Sequence, residues 1–221
     1  MGEIRIVPMY LPQFHRTLEN DEWWGEGYTE WTAVKNAVSL FPGHEQPHEP
    51  LEYYNLLERK TMEDQADLMH KYGVDGLCFY HYYFADGKRV LEKPAENLLK
   101  WKDIDMPFCF CWANQSWIRS WAKMDKGNVW ANLYDDKEKA DGEGILLRQD
   151  YGNVSEWREH FYYLLPFFRD QRYLKKDCRP IFIIWNPEEI ECLNDMMNCW
   201  NSLMKKEGMG EIFFIGKNFQ L

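Results

Sequence analysis

The sequence predicts an α/β fold of the (β/α) barrel type. Short apolar runs alternate with longer amphipathic segments, as repeated β-α units around a parallel sheet require. Polar and aromatic residues gather where the apolar runs end, and a barrel builds its site at the carboxyl ends of its strands. An open doubly wound sheet would place a ligand in the same way and stands as the alternative, although no Gly-rich phosphate fingerprint follows any of the runs.

Taken in order, the apolar runs are residues 5–10, 76–82, 107–113, 144–149, 180–185 and 211–216, which predicts six parallel strands. Helices are predicted over 61–72, 91–101, 154–168 and 187–206. The first opens on Thr61-Met-Glu-Asp64, a capping sequence, and closes at Gly73, which suits a left-handed end. Residues 11–60 form a connection rich in Pro, Gly and aromatics, far beyond the usual length of about 4–6 residues. Such a long connection predicts a functional segment. Residues 119–143 form a second polar connection.

A chain of 221 residues can bury one substantial core, so a single domain over 1–221 is expected. A net charge of −10 argues against nucleic acid as a partner, because the longest basic clusters, Lys175-Lys176 and Lys205-Lys206, are mere pairs. No apolar stretch approaches the roughly 20 residues of a membrane helix, and the opening Met1-Gly-Glu-Ile-Arg5 lacks the features of a signal peptide. Cys78, Cys109 and Cys111 lie in apolar runs, where cysteine acts as a small hydrophobe. Reduced thiols and a cytoplasmic location are the expectation.

The segment from Tyr10 to Trp31 interleaves acids, amides, His15 and the rings of Trp23, Trp24 and Trp31. Flat aromatic faces stack on the C–H faces of sugar rings while carboxylates and amides bind the hydroxyls between them. A buried aromatic cluster with polar helix caps would leave the same composition. Glycan-binding candidates are Tyr10, Gln13, His15, Trp24, Trp31, Tyr80, Tyr82, Trp112, Asn114, Gln115, Trp117 and Gln149. Tyr80 and Tyr82 share one strand face and can point together.

Glu30 is the best single candidate for a catalytic carboxylate, beside Thr29 and Trp31, with a structural role in the loop as the equal alternative. Asp21 and Asn20 read as turn-shaping residues, and Asp150 as a reserve acid. Glycoside hydrolysis usually needs two carboxyls about 5–10 Å apart, and no confident pair emerges. No metal or other cofactor is expected. His44 and His48 have helical spacing, but Pro47 and Pro50 oppose the helix that would align them.

Together, Tyr10-Leu-Pro-Gln-Phe-His15, Glu19-Asn-Asp21, Trp23-Trp-Gly25, Tyr28-Thr-Glu-Trp31, Tyr72-Gly-Val-Asp-Gly76, Gly87-Lys-Arg89, Glu92-Lys-Pro94, Phe108-Cys-Phe-Cys-Trp-Ala-Asn114 and Arg179-Pro180 resemble the WbsX family of polysaccharide-biosynthesis proteins. That family is similar to glycoside hydrolase family 99. The resemblance implies a (β/α)8 TIM-barrel-like domain acting on oligo- or polysaccharide in bacterial surface polysaccharide metabolism (lipopolysaccharide, O-antigen or capsule), although the family's historical name calls it a glycosyltransferase. A hydrolase-like mechanism is favoured by the lack of a nucleotide-binding motif. The rivals are a transferase with an activated donor and a non-catalytic glycan-binding barrel fragment.

Two departures from the family bear on chemistry. In its hydrolase-like members the resemblance implies that the essential carboxylates lie in an Asn-Glu-Trp-x-Glu segment near the end of the barrel, which this chain lacks, so the main catalytic pair is expected beyond Leu221; Ser155-Glu-Trp-Arg-Glu159 imitates that segment only on a helix surface. Many relatives carry Glu where Gln115 stands, and an amide binds sugar without carrying a proton at neutral pH. A full barrel takes about 250 residues. The expectation is therefore an incomplete barrel of about six β-α units, truncated at the C-terminal end.

Overall fold

The computed structural model describes residues 4–39, 41–46, 48–118 and 144–217. In chain order the elements are β1 (Met9–Tyr10), α1 (Leu18–Trp24), α2 (Glu30–Asn36), α3 (Arg59–Tyr72), β2 (Leu77–Tyr83), β3 (Arg89–Val90), α4 (Lys93–Lys100), β4 (Phe108–Trp112), β5 (Trp117–Ile118), β6 (Ile145–Leu147), α5 (Val154–Phe168), β7 (Lys175–Lys176), β8 (Arg179–Ile184), α6 (Leu193–Lys206) and β9 (Phe213–Gly216). They fall into two compact units. One comprises Met1–Pro12, Glu58–Gln115 and Gln149–Leu221, the other Gln13–Leu57 and Ser116–Arg148.

The larger unit holds a parallel ladder in the order β1-β2-β4-β8-β9, each strand beside the one before it in that series. A doubly wound sheet reverses its order at a switch point; this one advances in a single direction, as a barrel wall does. The ladder is not closed among the described residues. Short antiparallel partners are added by β3 to β2 and by β7 to β8.

Parallel register aligns Tyr10, Phe79, Phe110, Phe182 and Phe214 in one row across the five strands. The row lies on the helix-covered face: Phe110 meets Phe167 of α5 at 5.0 Å and Phe182 meets Trp200 of α6 at 5.3 Å. Phe79, Phe110 and Phe182 are buried almost completely. Removing such a ring costs about 3–5 kcal/mol. An exposed ion pair, such as Arg59 with Glu63 and Asp103 or Lys60 with Asp64, gives at most about 1 kcal/mol. The aromatic row, not the surface charge, holds this sheet.

The fourth predicted strand is corrected. Residues 144–149 supply no parallel strand: β6 pairs antiparallel with β5 as a two-stranded ribbon of the smaller unit. The segment has three consecutive apolar residues, too few for a strand buried on both faces of a parallel sheet. The 11–60 connection contains α1, α2 and the first turn's start of α3. Thr17 caps α1 by accepting from the Asn20 N–H at 3.1 Å. Helix α3 begins two residues before Thr61 and ends at Gly73 with φ 72°, the left-handed end that the sequence foretells. Helix α5 matches its predicted span, and Glu156 of the Ser155–Glu159 segment caps it by accepting from the Asn153 backbone at 2.9 Å.

Two buried polar devices tie the elements of the larger unit. Arg172 donates to the carbonyls of Leu98, Trp101 and Ile104 at 2.7–2.9 Å, closing the C-terminal end of α4, and it pairs with Asp170 at 3.0 Å. Burial pushes the Asp170 carboxyl up, but hydrogen bonds from Arg172 and Lys102 outweigh that and hold it well below the usual range. Between β2 and α5, His81 and His160 meet Nε2 to Nε2 at 2.7 Å. One ring must donate and the other accept, so they are opposite neutral tautomers. Burial, and secondarily Arg89, pushes His81 down to about 3; burial and His81 lower His160.

Because the folded state keeps both imidazoles neutral while the unfolded chain protonates them near pH 6.5, unfolding takes up protons below that pH. Stability is expected to fall as pH drops from about 7.5 to 5.5, with a limiting slope of about 2.7 kcal/mol per unit for two sites. Urea unfolding at both pH values checks this: His160→Gln should roughly halve the slope, and an unchanged slope would refute the assignment. Asp170, whose folded value is depressed, adds its loss only below about pH 4. Arg172→Leu leaves the three carbonyls without their donor and Asp170 with Lys102 alone, and should cost about 3–5 kcal/mol in the same assay.

Candidate functional site

At the carboxyl ends of β4 and β8, two amides exchange hydrogen bonds. Asn114, fully buried, donates Nδ2 to the Asn186 carbonyl at 2.8 Å and accepts from the Asn186 N–H at 2.8 Å. The pair acts as one more rung beyond the last strand pairing of Trp112 with Ile184. It leaves the Asn186 side chain directed at its neighbours. Its Nδ2 donates to Gln115 Oε1 at 3.3 Å and to Glu189 Oε1 at 3.1 Å.

The local sequence explains the placement. A residue before proline is held extended, and Asn186 precedes Pro187 with φ −122°. The single turn Pro187–Glu189 then brings Glu189 back over Asn186. Gly216 at the end of β9 permits this: a Cβ there would lie 3.1 Å from the Pro187 ring.

Tyr151 completes the cluster. Its hydroxyl lies 3.0 Å from the Asn114 carbonyl and 3.3 Å from Glu189 Oε2, and can donate to either. Burial, with a smaller push from Glu189, drives its pKa up to about 12, so the phenol keeps its proton at neutral pH. Gln115, Asn186, Glu189 and Tyr151 thus combine two amides, one carboxylate and one phenol. Such groups grip hydroxyls from both the donor and the acceptor side.

Aromatic faces stand on the sheet face away from the helices. Tyr80 pairs with Cys111, opposite in sense to the Phe79–Phe110 row, and its ring meets Trp185 at 5.4 Å and Tyr82 at 6.5 Å. All three rings are partly exposed. Lys217 Nζ sits 3.2 Å from the centre of the Trp185 ring. Burial raises the Tyr80 hydroxyl, which also remains a phenol.

Other candidates of the larger unit lie elsewhere. Tyr10 faces the helices, its ring on Phe79 at 4.6 Å and its hydroxyl donating to Gln65 of α3 at 2.5 Å. Trp112 is 3% exposed, donates to the Tyr83 carbonyl at 3.1 Å and packs on His160 at 5.1 Å. It lines a recess of only about 20 Å³ with Tyr83, Tyr151 and Trp157. That is below the size of common small-molecule sites, about 300–1,000 Å³. Both rings therefore serve the core here, against the expectation of a sugar platform at Trp112. Gln149 donates to the Asp150 carbonyl at 2.7 Å and follows an antiparallel strand. Asp150 is exposed.

In the smaller unit, Trp31 donates to the Tyr54 carbonyl at 2.7 Å and meets Phe14, Tyr53 and Tyr54 within 4.5–5.4 Å. Glu30 starts α2, and burial raises its pKa. Trp24 packs on Tyr28, Trp117 on Trp23, and His15 is buried. Gln13 donates to the buried Asn20 at 3.5 Å. Asp21 binds Arg16 at 2.5 Å and the Gly27 N–H at 2.7 Å, the loop-shaping role that its sequence setting foretells.

The structure therefore gathers Tyr80, Tyr82, Asn114 and Gln115 at the ladder's end, and adds Tyr151, Trp185, Asn186, Glu189 and Lys217. Sequence reasoning marks Tyr151, Trp185 and Asn186 only as residues after strands, and misses Glu189 and Lys217. The available signal is Asn186-Pro-Glu-Glu189 directly after an apolar strand. Among the described residues no group of three or more His, Cys, Asp or Glu is arranged to hold a metal ion, and no helix is long and apolar enough to cross a membrane.

Comparison with known proteins places these features. The WxcX proteins of two strains of Xanthomonas campestris pv. campestris are 34% identical over 209 residues, covering 94% of this chain and 27% of theirs. The chain thus spans about a quarter of the length of these curated relatives. Among solved structures, the GH99 endo-alpha-mannosidase of Bacteroides thetaiotaomicron superposes with a TM-score of 0.51 at 12% identity, over 98% of this chain and 56% of that one. Its complex with bis-tris-propane gives 0.51 at 13%, over 98% and 53%. At such identities the likeness is one of fold, and it makes the parallel ladder a wall of a TIM-barrel-like α/β domain. A family model described as glycosyltransferase WbsX matches residues 6–220, and the chain belongs to the WbsX glycosyltransferase family.

Proposed function

We propose that this chain forms part of a carbohydrate-active enzyme that cleaves glycosidic bonds in bacterial surface polysaccharide, with its glycan held at the carboxyl ends of β4 and β8. The observation that supports this most is the cluster of Gln115, Asn186, Glu189 and Tyr151 beside the partly exposed rings of Tyr80 and Trp185. Amides and a phenol bind hydroxyls; rings stack on sugar faces. The structural neighbour is an endo-alpha-mannosidase, which directs the first substrate trials to α-mannose-containing oligosaccharides.

In this reading Glu189 is the acceptor that orients a sugar hydroxyl, while Tyr151 donates, its proton secured by a pKa of about 12. Gln115 binds and does not transfer protons. Hydrolysis by the usual route needs a second carboxyl about 5–10 Å from the first. The described cluster holds one. The 221-residue chain alone is therefore expected to bind glycan without appreciable turnover. Rapid release of reducing ends from α-mannan oligosaccharides by the pure chain would overturn that.

A transferase using an activated donor is the second reading, favoured by the family's description. A nucleotide-sugar that is consumed while intact oligosaccharide is left uncut would establish it.

Isothermal titration with α-mannose oligosaccharides tests the site. Trp185→Ala should weaken binding about tenfold or more, on the scale of about 1–3 kcal/mol for one buried ring. Glu189→Gln should weaken it several-fold while leaving the urea midpoint unchanged, because the group is exposed. Trp112→Ala should instead lower stability by about 3–5 kcal/mol. Unchanged affinity in both Trp185→Ala and Glu189→Gln, with the fold intact, would remove this end of the ladder as the binding site.

A further inference from the structure

The Ser155–Glu159 segment, which its sequence marks as helix surface, turns two side chains back toward the chain that precedes it. Glu156 accepts at Oε2 from the Asn153 N–H at 2.9 Å and from Asn153 Nδ2 at 2.6 Å, and at Oε1 from the Asp86 N–H at 3.2 Å. Trp157 is 9% exposed, and its Nε1 donates to the Tyr151 carbonyl at 2.7 Å. The Trp157 carbonyl in turn accepts from Nε1 of Trp200 on α6 at 2.8 Å.

A helix cap accounts for only part of this. The reciprocal bonds between Asn153 and Glu156 serve the first turn of α5. Neither the bond from Trp157 to Tyr151 nor the bond from Asp86 to Glu156 satisfies an end group of that helix. They act outside it, on the loop after β2 and on residues 149–153, a stretch with neither helix nor strand. Gly152 shows how closely that stretch is drawn in. Its φ is 62°, and a Cβ there would stand 2.6 Å from Glu156 Oε2, so a side chain would be strained and would push the carboxylate aside.

What the stretch carries is Tyr151, whose hydroxyl lies 3.0 Å from the Asn114 carbonyl and 3.3 Å from Glu189 Oε2. Tying down the carbonyl of the same residue fixes where its ring starts, and Trp112, edge-on at 6.0 Å, limits how the ring turns. We propose that Glu156 and Trp157 are positioning residues of the glycan site, holding residues 149–153 so that the Tyr151 hydroxyl stands between Asn114 and Glu189. Their role in binding rests on the glycan reading of that cluster, whereas the hold on Tyr151 is measurable without any sugar.

Fluorine NMR reads the hold. The chain is grown with 3-fluorotyrosine, and Tyr151→Phe identifies the Tyr151 signal among the thirteen by its loss. Trp157→Phe, which keeps a ring and removes the donor, should shift or broaden that signal while the Tyr10 signal, from β1, stays in place. Glu156→Ala, at a half-exposed carboxylate, should do the same and does not depend on a core substitution being tolerated. A Tyr151 signal unmoved in either variant, with the fold intact by circular dichroism, overturns the proposal.

Isothermal titration with α-mannose oligosaccharides reads the role in binding. Trp157→Phe should weaken binding about three- to tenfold, the worth of one hydrogen bond. The Tyr151→Phe/Trp157→Phe double variant should bind no more weakly than Tyr151→Phe alone, because Trp157 acts through Tyr151. Losses that multiply in the double variant mark a merely structural role and also overturn the proposal. A Tyr151→Phe chain that binds as tightly as the unmodified one counts instead against Tyr151 in the glycan reading, and the fluorine signal still decides the hold.

Discussion

Everything at the candidate site depends on the rule that each strand of the ladder pairs in parallel with its predecessor. Parallel pairing puts every carboxyl end at the same end of the sheet, and sequential order puts β4 beside β8 with no strand between them. Only then can Asn114 and Asn186, 72 residues apart in sequence, exchange two backbone-to-amide hydrogen bonds. The aromatic row beneath fixes the register. Because facing residues alternate with period two, a slip of one residue would turn the Phe79, Phe110 and Phe182 rings to the wrong face and carry Cys78, Tyr80 and Cys111 under the helices.

The two faces of this sheet have different tasks. Toward α5 and α6 it is mostly aromatic and closed, and its buried His81 is satisfied by His160 of α5. Away from the helices it carries thiols, Tyr80, Tyr82, Ile183 and Trp185, with the rings part-exposed. An aromatic-rich composition cannot tell these faces apart. Register can, and this is why Trp112, which shares a face with His81, belongs to the core while Trp185 stands at the ladder's end.

Sequence periodicity made the ladder legible wherever an apolar run was long enough, as in β2, β4, β8 and β9, although only β4 is buried along its whole length. It failed at residues 144–149, where three apolar residues serve a half-buried ribbon equally well. Helix α5 was legible to the residue because Asn153 and Glu156 form a reciprocal cap. The site was half legible. Asn114 and Gln115 directly follow a strand, but Glu189 is placed by a proline-led turn and a bare glycine on β9, and neither signal is periodic. The family resemblance pointed to a glycan-active barrel, which the fold and the family match carry. Single residue roles needed geometry.

The His81–His160 pair carries one more consequence, an optical one. Trp112 and Trp200 both present an edge to the His160 ring, at 5.1 and 4.9 Å, and both are buried. A protonated imidazole quenches a neighbouring indole far more strongly than a neutral one. Since burial keeps His160 neutral in the closed core, neither indole meets an imidazolium across the range in which an exposed histidine would titrate. Their emission is therefore a lamp wired to the core itself, steady while β4, α5 and α6 are packed and dimming only as water reaches the space between them.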